Sequence, residues 1–146
     1  MNVRILVVED SKTDMTLITS ILKDYELLLA YDGIEAYEII KNDPNIDIMI
    51  LDLNMPNMNG FELLELIQRN PAYQKISTLI LTNYDEIENE VKGLELGAVD
   101  YIRKPLNMES LRKRIKIHAK LKKFSKTLEE NNAILEETVQ IRTSEL

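Results

Sequence analysis

The chain contains no cysteine and only one histidine, His118. The absence of cysteine excludes disulfides, thiolate chemistry and zinc ribbons. No apolar stretch approaches the roughly 20 residues that a membrane-spanning helix needs. The first apolar run meets an acidic pair after six residues, Val3 to Val8, which is too short for the core of a signal peptide. We therefore expect a cytoplasmic protein without a membrane contact.

Basic residues are outnumbered by acidic ones, and the formal net charge is −7 over 146 residues. This balance argues against nucleic-acid or anionic-membrane binding by the chain as a whole. What the chain does have is a 45% apolar content, which is ordinary for a globular protein with a real core. The length allows one compact domain and some additional structure.

Apolar runs alternate along the chain with segments of helical periodicity. The predicted strands are Val3–Val8, Glu26–Ala30, Asp47–Leu51, Thr78–Thr82 and Val99–Arg103. Between them, apolar residues recur at the three- and four-residue spacing of amphipathic helices. Strands that alternate with helices predict right-handed crossovers and a parallel sheet. The predicted fold class is therefore α/β, with five βα units.

The last helix does not end where such a domain should end. No proline or glycine occurs from Asn107 to Leu146, a span of forty residues. We place a boundary near Ala119, with a domain over 1–119 and a helical segment over 120–146. Apolar residues near seven-residue spacing predict a coiled coil in that segment: Ile117, Leu121, Phe124, Leu128, Leu135 and Val139. Because a lone helix in water is marginal, we expect it to pair with a second copy.

Ten of the eighteen basic residues lie between Arg103 and Lys126, at the start of this helix. A nucleic-acid contact is one interpretation. A solvated helix face whose charges help to set the pairing register is the favoured one, since no aromatic or zinc-finger signature accompanies the charge. His118 lies in the same basic run, and we expect no metal or phosphate role for it.

Chemically reactive residues end four of the predicted strands. Glu9 and Asp10 follow the first strand, Asp52 follows the third, Thr82 ends the fourth and Lys104 follows the fifth. Open α/β sheets bind ligands at the carboxyl ends of their strands, so these side chains should meet there. Carboxylates, a hydroxyl and an ammonium together suit a divalent cation and a phosphoryl group.

The acidic cluster predicts a Mg²⁺ site. Three carboxylates in one place would repel one another, and a cation that neutralises them explains their proximity. Mg²⁺ prefers one or two carboxylates, water and phosphate oxygens. We expect Asp10 and Asp52 to be direct ligands, Glu9 to act through water, and the backbone carbonyl of Asn54 to add a neutral ligand.

Asp52 is the predicted nucleophile of a phosphoryl transfer. A carboxylate held ionised beside a metal can attack phosphorus. Lys104 would stabilise the negative charge on the transferring group, and Thr82 would hydrogen-bond one phosphoryl oxygen.

From about Asn2 to Ala119 the chain resembles the receiver domains of bacterial two-component response regulators. The residues that carry the resemblance are Glu9-Asp10, Asp52-Leu53-Asn54-Met55-Pro56 with Met58 and Gly60, Thr82, and Lys104-Pro105. The resemblance implies the flavodoxin-like strand order 2-1-3-4-5, a cis Lys104-Pro105 bond and Mg²⁺ dependence. It also implies that Asp52 accepts a phosphoryl group from a sensor histidine kinase or a phosphotransfer protein.

The same resemblance places a conformational switch at Thr82 and Tyr101. In receivers the threonine moves toward the phosphoryl group and the aromatic side chain turns inward, which changes the face formed by helix 4, strand 5 and helix 5. Two residues depart from the usual pattern. Asn83 is larger than the residue usual there, and Tyr84 brackets the pocket, so both bear on the lifetime of the phosphorylated state.

Three rival interpretations compete with this one. A phosphatase of the haloacid-dehalogenase type would have a second aspartate two residues after its nucleophile, where this chain has Asn54. A docking module without phosphorylation would not need Asp10, Asp52, Thr82 and Lys104. A complete transcription factor would need a DNA-binding pattern after the receiver. We expect instead a non-enzymatic switch that precedes an output domain outside this sequence.

Overall fold

The computed structural model describes residues 2–43, 45–55, 58–83 and 85–145. The strands are β1 (Arg4–Val8), β2 (Glu26–Ala30), β3 (Ile48–Asp52), β4 (Ser77–Asn83) and β5 (Asp100–Lys104). The helices are α1 (Lys12–Ile21), α2 (Gly33–Asn42), α3 (Gly60–Arg69), α4 (Ile87–Glu95) and α5 (Met108–Glu145).

All the strands belong to one parallel sheet in the order β2-β1-β3-β4-β5. The predicted strand order and fold class are therefore confirmed, and each predicted strand end lies within one residue of the observed end. Every residue of β3 is buried, as expected for a central strand covered by helices on both faces. This order brings the end of β3 between the ends of β1 and β4.

The sheet separates two hydrophobic clusters. Side chains alternate between the faces of a strand, so Ile50 and Leu79 pack with α1 and α5, whereas Leu51 and Ile80 pack with α2 and α3. This alternation also decides on which side of the sheet the polar residues at the strand ends begin. Asp52 shares the parity of Ile50, and Thr82 shares that of Ile80.

Backbone geometry at two glycines shapes the sheet edge that carries the polar residues. A Cβ added at Gly60 would lie 2.7 Å from the carbonyl oxygen of Asp52, so only glycine lets α3 begin this close to the end of β3. Gly97 has a φ of +106°, a left-handed conformation that favours glycine, and it follows the end of α4 as its position in the sequence predicts.

Helix α4 buries an unexpected face. The spacing of Ile87, Val91 and Leu94 predicts a helix here, but these three side chains are exposed to 60%, 52% and 41%. The residues that α4 buries are Glu90 and Gly93. A Cβ at Gly93 would lie 2.3 Å from Cδ1 of Ile80, so the missing side chain allows α4 to lie close to β4.

Helix α5 begins as part of the domain and continues beyond the sheet. Leu111, Ile115 and Ala119 are buried against it. One turn further on, Lys122 donates to the backbone carbonyl of Lys75, and Lys126 Nζ lies 2.5 Å from Asp47 Oδ1. The predicted boundary near Ala119 stays a prediction, and these contacts lie just beyond it.

The opposite side of α5 is exposed along the predicted coiled-coil positions. The exposed fractions are 56% at Ile117, 59% at Leu121, 68% at Phe124, 50% at Leu128 and 61% at Leu135. The side chain of Val139 lies outside those that the structure describes. In the described part of the chain, no helix combines the length and hydropathy of a membrane span.

Candidate functional site

Lys104, the last residue of β5, links the acidic residues at the edge of the sheet. Its Nζ lies 3.2 Å from Glu9 Oε2, 3.2 Å from Asp14 Oδ2 and 3.5 Å from Asp52 Oδ2. Glu9 follows β1, Asp52 ends β3, and Asp14 lies in the first turn of α1. The peptide bond between Lys104 and Pro105 is cis, as the resemblance implies.

Burial makes this cluster electrostatically unusual. Glu9 is fully buried and Asp52 is 3% exposed. Burial, followed by the negative charge of Asp52, raises the pKa of Glu9 from 4.5 to about 7. Burial also raises the pKa of Asp52, although Lys104 and the backbone N–H of Asn54 oppose that shift. Together these carboxylates carry more negative charge than the Lys104 ammonium neutralises.

Lys104 responds in the opposite sense. Burial alone would lower its pKa, but the negative charges of Asp52 and Glu9 outweigh burial and raise the pKa above its usual value. Lys104 is therefore a charged ammonium at neutral pH, within hydrogen-bonding distance of the predicted nucleophile.

Glu9, Asp10 and Asp52 are placed as a cation site requires. Each offers one carboxylate oxygen, and these oxygens all lie within 4.8 Å of one another. Glu9 and Asp52 are buried while Asp10 is exposed, so the cluster faces the solvent on one side. An all-oxygen donor set of this kind suits a hard cation such as Mg²⁺.

Asn54 lies at the solvent side of the same edge. Its backbone N–H donates to Asp52 Oδ1 at 3.1 Å, which holds the carboxylate in place. Its exposed side chain donates to Glu86 Oε2 at 3.5 Å. Asn54 therefore positions Asp52 in addition to its predicted role through its carbonyl.

Thr82 is at the predicted strand end, but its hydroxyl group donates to a residue of α4 and not to the acidic cluster. Its Oγ1 donates to Glu90 Oε1 at 3.3 Å. Arg103 holds the same carboxylate through two contacts, Nε to Oε1 at 2.7 Å and Nη2 to Oε2 at 3.2 Å. Thr82 is 1% exposed and Glu90 is 4% exposed, so this hydrogen bond is shielded from water.

Tyr101, the second predicted switch residue, lies close to two guanidinium groups. Its ring centroid is 5.6 Å from Arg103 Cζ and 5.8 Å from Arg114 Cζ. The ring is partly buried and packs against the cluster that contains Ile80. Of the two residues that follow Thr82, Asn83 ends β4 and pairs with Lys104, while Tyr84 lies outside the described residues.

His118 has an acidic neighbour that the local sequence does not reveal. Its Nε2 lies 3.0 Å from Asp100 Oδ2, and Arg114 Nη1 lies 2.7 Å from Asp100 Oδ1. Burial alone would raise the pKa of Asp100, but the bonds from His118, the Tyr101 backbone and Arg114 together lower it. These contacts fasten α5 to the start of β5.

Sequence reasoning missed Asp14, Glu86 and Glu90 as neighbours of the site. Asp14 looks like an ordinary first-turn acid, since its N–H is capped by Ser11. Glu90 looks like part of a solvated helix surface. The one sequence signal for a buried carboxylate is the residue pattern of α4, in which apolar residues flank a glutamate and Gly93.

The strand order and the acidic cluster at the carboxyl edge of the sheet are those of a flavodoxin-like α/β protein, a class that binds its ligands at this edge. Residues 5–116 match the family "Response regulator receiver domain", and the chain belongs to this family. In a solved structure, the chemotaxis protein CheY4 of Vibrio cholerae, 98% of that chain aligns with 80% of this one. The TM-score is 0.73 and the identity is 31%.

Two relatives differ in how much of their length the chain spans. Response regulator Rcp1 of Synechocystis is 33% identical over 121 residues, which cover 76% of this chain and 82% of the relative. A probable cyclic di-GMP phosphodiesterase of Vibrio cholerae is 36% identical over 143 residues. That match covers 97% of this chain but only 32% of the relative, so the chain spans about a third of that protein's length.

Proposed function

We propose that the chain is a phosphorylation-dependent switch in which Asp52 accepts a phosphoryl group from a sensor histidine kinase or a phosphotransfer protein. The observation that carries the proposal is the position of Lys104 Nζ, 3.5 Å from Asp52 and 3.2 Å from Glu9. An ammonium beside a buried carboxylate can bind the phosphoryl oxygens and stabilise their charge during transfer. Family membership supports the same assignment.

Mg²⁺ fits the residues that are present. Asp10 and Asp52 would be the direct protein ligands, the Asn54 carbonyl would be a third, and Glu9 would act through water. The excess of carboxylate over ammonium, together with the raised pKa values of Glu9 and Asp52, supports a cation in this place. When bound, the ion supplies positive charge that offsets the phosphoryl oxygens.

The transfer balances without any further reactant. A carboxylate oxygen of Asp52 forms the new O–P bond while the P–N bond of a phosphohistidine breaks. The electron pair of the P–N bond stays on that nitrogen, and the ring, already protonated on its other nitrogen, leaves as neutral imidazole. With acetyl phosphate a P–O bond breaks and acetate leaves. Thr82 would then donate to one phosphoryl oxygen, and Tyr101 would turn inward to follow it.

We further propose that the chain catalyses only its own phosphorylation and dephosphorylation. Asn54 stands where a phosphatase of the haloacid-dehalogenase type needs a general acid, and an amide cannot donate a proton in that way. The side chain of Asn54 donates to Glu86 Oε2, and its backbone N–H donates to the carboxylate of Asp52. We infer that a separate output domain would act on any further substrate. One Vibrio relative, about three times the length of this chain, is named a probable cyclic di-GMP phosphodiesterase.

The output would be transmitted by a dimeric coiled coil formed by α5. Its exposed apolar positions lie opposite Lys122 and Lys126, which bind the domain. The helix can therefore stay fastened to its own receiver while presenting Leu121 and Leu128 to a second copy. The face made of α4, β5 and α5 would change on phosphorylation and alter this pairing.

The first test is the intact mass after incubation with acetyl phosphate and Mg²⁺. We expect one phosphoryl group on the wild type, and none on Asp52→Ala or without the metal. Asp24→Ala, which removes an exposed aspartate far from the site in sequence, is the matched control and should be labelled normally. An unlabelled wild type, or labelling that survives in Asp52→Ala, would contradict the proposal.

The dimer has a separate test. We expect sedimentation to show a dimer for the wild type and a monomer for the double variant Leu121→Ser/Leu128→Ser. Both side chains are at least half exposed in the single chain, so thermal stability of the receiver should change little. A monomeric wild type at all concentrations would refute pairing through α5.

A further inference from the structure

Glu90 is a buried carboxylate that the proposed phosphoryl transfer does not use. It and Gly93 are the residues that α4 buries, and the structure describes the whole of that helix. A carboxylate with 4% exposure is costly unless it is paired, and here it has two kinds of partner. Arg103 binds both of its oxygens, and Thr82 donates its hydroxyl group to one of them.

The contact with Thr82 occupies the only proton that the hydroxyl group can donate. A threonine hydroxyl has one O–H donor, and here it points to Glu90 Oε1 on the α4 side of the sheet. A phosphoryl group on Asp52 needs that same donor. The two acceptors therefore exclude each other, and Thr82 must leave Glu90 before it can bind the phosphoryl oxygen.

We propose that Glu90 is a positioning residue that holds Thr82 in the unphosphorylated arrangement and so sets the threshold of the switch. The inference rests on the proposed phospho-acceptor function. Arg103 neutralises Glu90 and binds both of its oxygens, and the side chain of Arg103 is itself 44% exposed. Arg103 and Thr82 are direct partners in the β4–β5 register, so the three residues form one unit.

The same unit connects the site to a surface. Gly93 has no side chain, so α4 lies close to β4, and Glu90 attaches the helix to Thr82 of β4 and Arg103 of β5. Once Thr82 turns to the phosphoryl group, α4 loses one hydrogen bond on its buried side. The exposed apolar residues Ile87, Val91 and Leu94 are carried on that helix and would move with it.

The experiment measures binding of beryllium fluoride, a phosphoryl mimic, in the presence of Mg²⁺ by calorimetry. Apparent affinity falls in proportion to the fraction of protein whose Thr82 is available. We expect Glu90→Gln to bind about tenfold more tightly than the wild type, the order expected when one charge-assisted hydrogen bond is weakened. Glu90→Asp, which keeps the charge for Arg103 but is one methylene shorter, should shift in the same direction.

Two controls separate a positioning role from a structural one. Glu88→Gln makes the same chemical change on the exposed side of α4 and should bind as the wild type does. In a Thr82→Val background, Glu90→Gln should give no further gain, because the hydroxyl group that it releases is absent. A gain that persists in that background would show that Glu90 acts by another route and would overturn the proposal.

The outcomes distinguish this inference from the proposed function. If the wild type and Glu90→Gln bind beryllium fluoride equally well, the phospho-acceptor function stands and the role of Glu90 is refuted. If neither the wild type nor any variant binds it, the phospho-acceptor function itself is refuted, and the role of Glu90 with it. Thermal melts of each variant identify any that fail to fold.

Discussion

Replacing Asp52, the proposed nucleophile, by asparagine should stabilise the metal-free protein. Glu9 and Asp52 are both buried, and Lys104 is the ammonium between them. A pKa of Glu9 raised from 4.5 to about 7 corresponds to about 3 kcal/mol of folding free energy lost once Glu9 is ionised. Burial is the larger cause and Asp52 the second, so removing the Asp52 charge should recover about 1 kcal/mol of that loss.

The sign of the pH dependence follows from the raised pKa. Between pH 4.5 and about 7 the folded protein binds more protons at Glu9 than the unfolded chain does, so Glu9 makes stability fall as the pH rises through that window. The advantage of Asp52→Asn should therefore be largest above pH 7, where Glu9 is charged. It should shrink toward pH 5, where Glu9 is protonated and no longer repels Asp52.

Urea unfolding in the presence of EDTA measures this difference directly. Saturating Mg²⁺ should reduce or reverse it, because a cation stabilises the wild-type carboxylates by mass action. Asp24→Asn removes an exposed aspartate and should change stability by less than about 0.5 kcal/mol. If Asp52→Asn were no more stable than the wild type at pH 8 in EDTA, the argument from like-charge repulsion would be refuted.

Three further predictions concern the frame around the site. Gly60→Ala should destabilise the fold by about 1–3 kcal/mol and slow labelling by acetyl phosphate, because its Cβ would press on the backbone of Asp52; unchanged thermal melts would contradict this. Asp100→Asn should lower stability at neutral pH by about 1 kcal/mol. Because the pKa of Asp100 is lowered, the difference in stability between the variant and the wild type should vanish as acid protonates the wild-type carboxyl. A difference in stability that does not depend on pH would show that the ionic contacts of Asp100 are not its cause. Lys104→Met should reduce the rate of labelling, measured by intact mass, by about 100-fold or more. If the variant were labelled at the wild-type rate, Lys104 would have no part in the transfer.

The strands and their order were predictable because their signals are local. Near-continuous apolar runs of five to seven residues separated by helical spacing can form little other than a covered parallel sheet. The carboxyl ends of such strands meet at one edge by topology alone. Asp52 and Lys104 are therefore expected to lie close to each other, and in the structure their side chains are in contact.

The partners of those residues were not predictable in the same way. Asp14 contacts Lys104 although α1 follows β1 and two strands separate β1 from β5 in the sheet. Nothing in its local sequence distinguishes Asp14 from a helix-capping acid. His118 meets Asp100 across 18 positions of sequence. Such pairs depend on how helices are rotated against the sheet, and each residue separately is an ordinary surface residue.

The sequence by itself determined the order of elements, the sheet edge at which Glu9, Asp52 and Lys104 meet, and the long uninterrupted helix α5. These depend on patterns that a few neighbouring residues carry. Only the tertiary structure decided which face of α4 is buried. Hydrophobicity favours the side with Ile87 and Val91, yet Gly93 and the ion pair of Glu90 with Arg103 make the neighbouring side of the helix the one that packs. The physical reason is that close backbone approach and a paired buried charge exist only once β4, β5 and α4 are together.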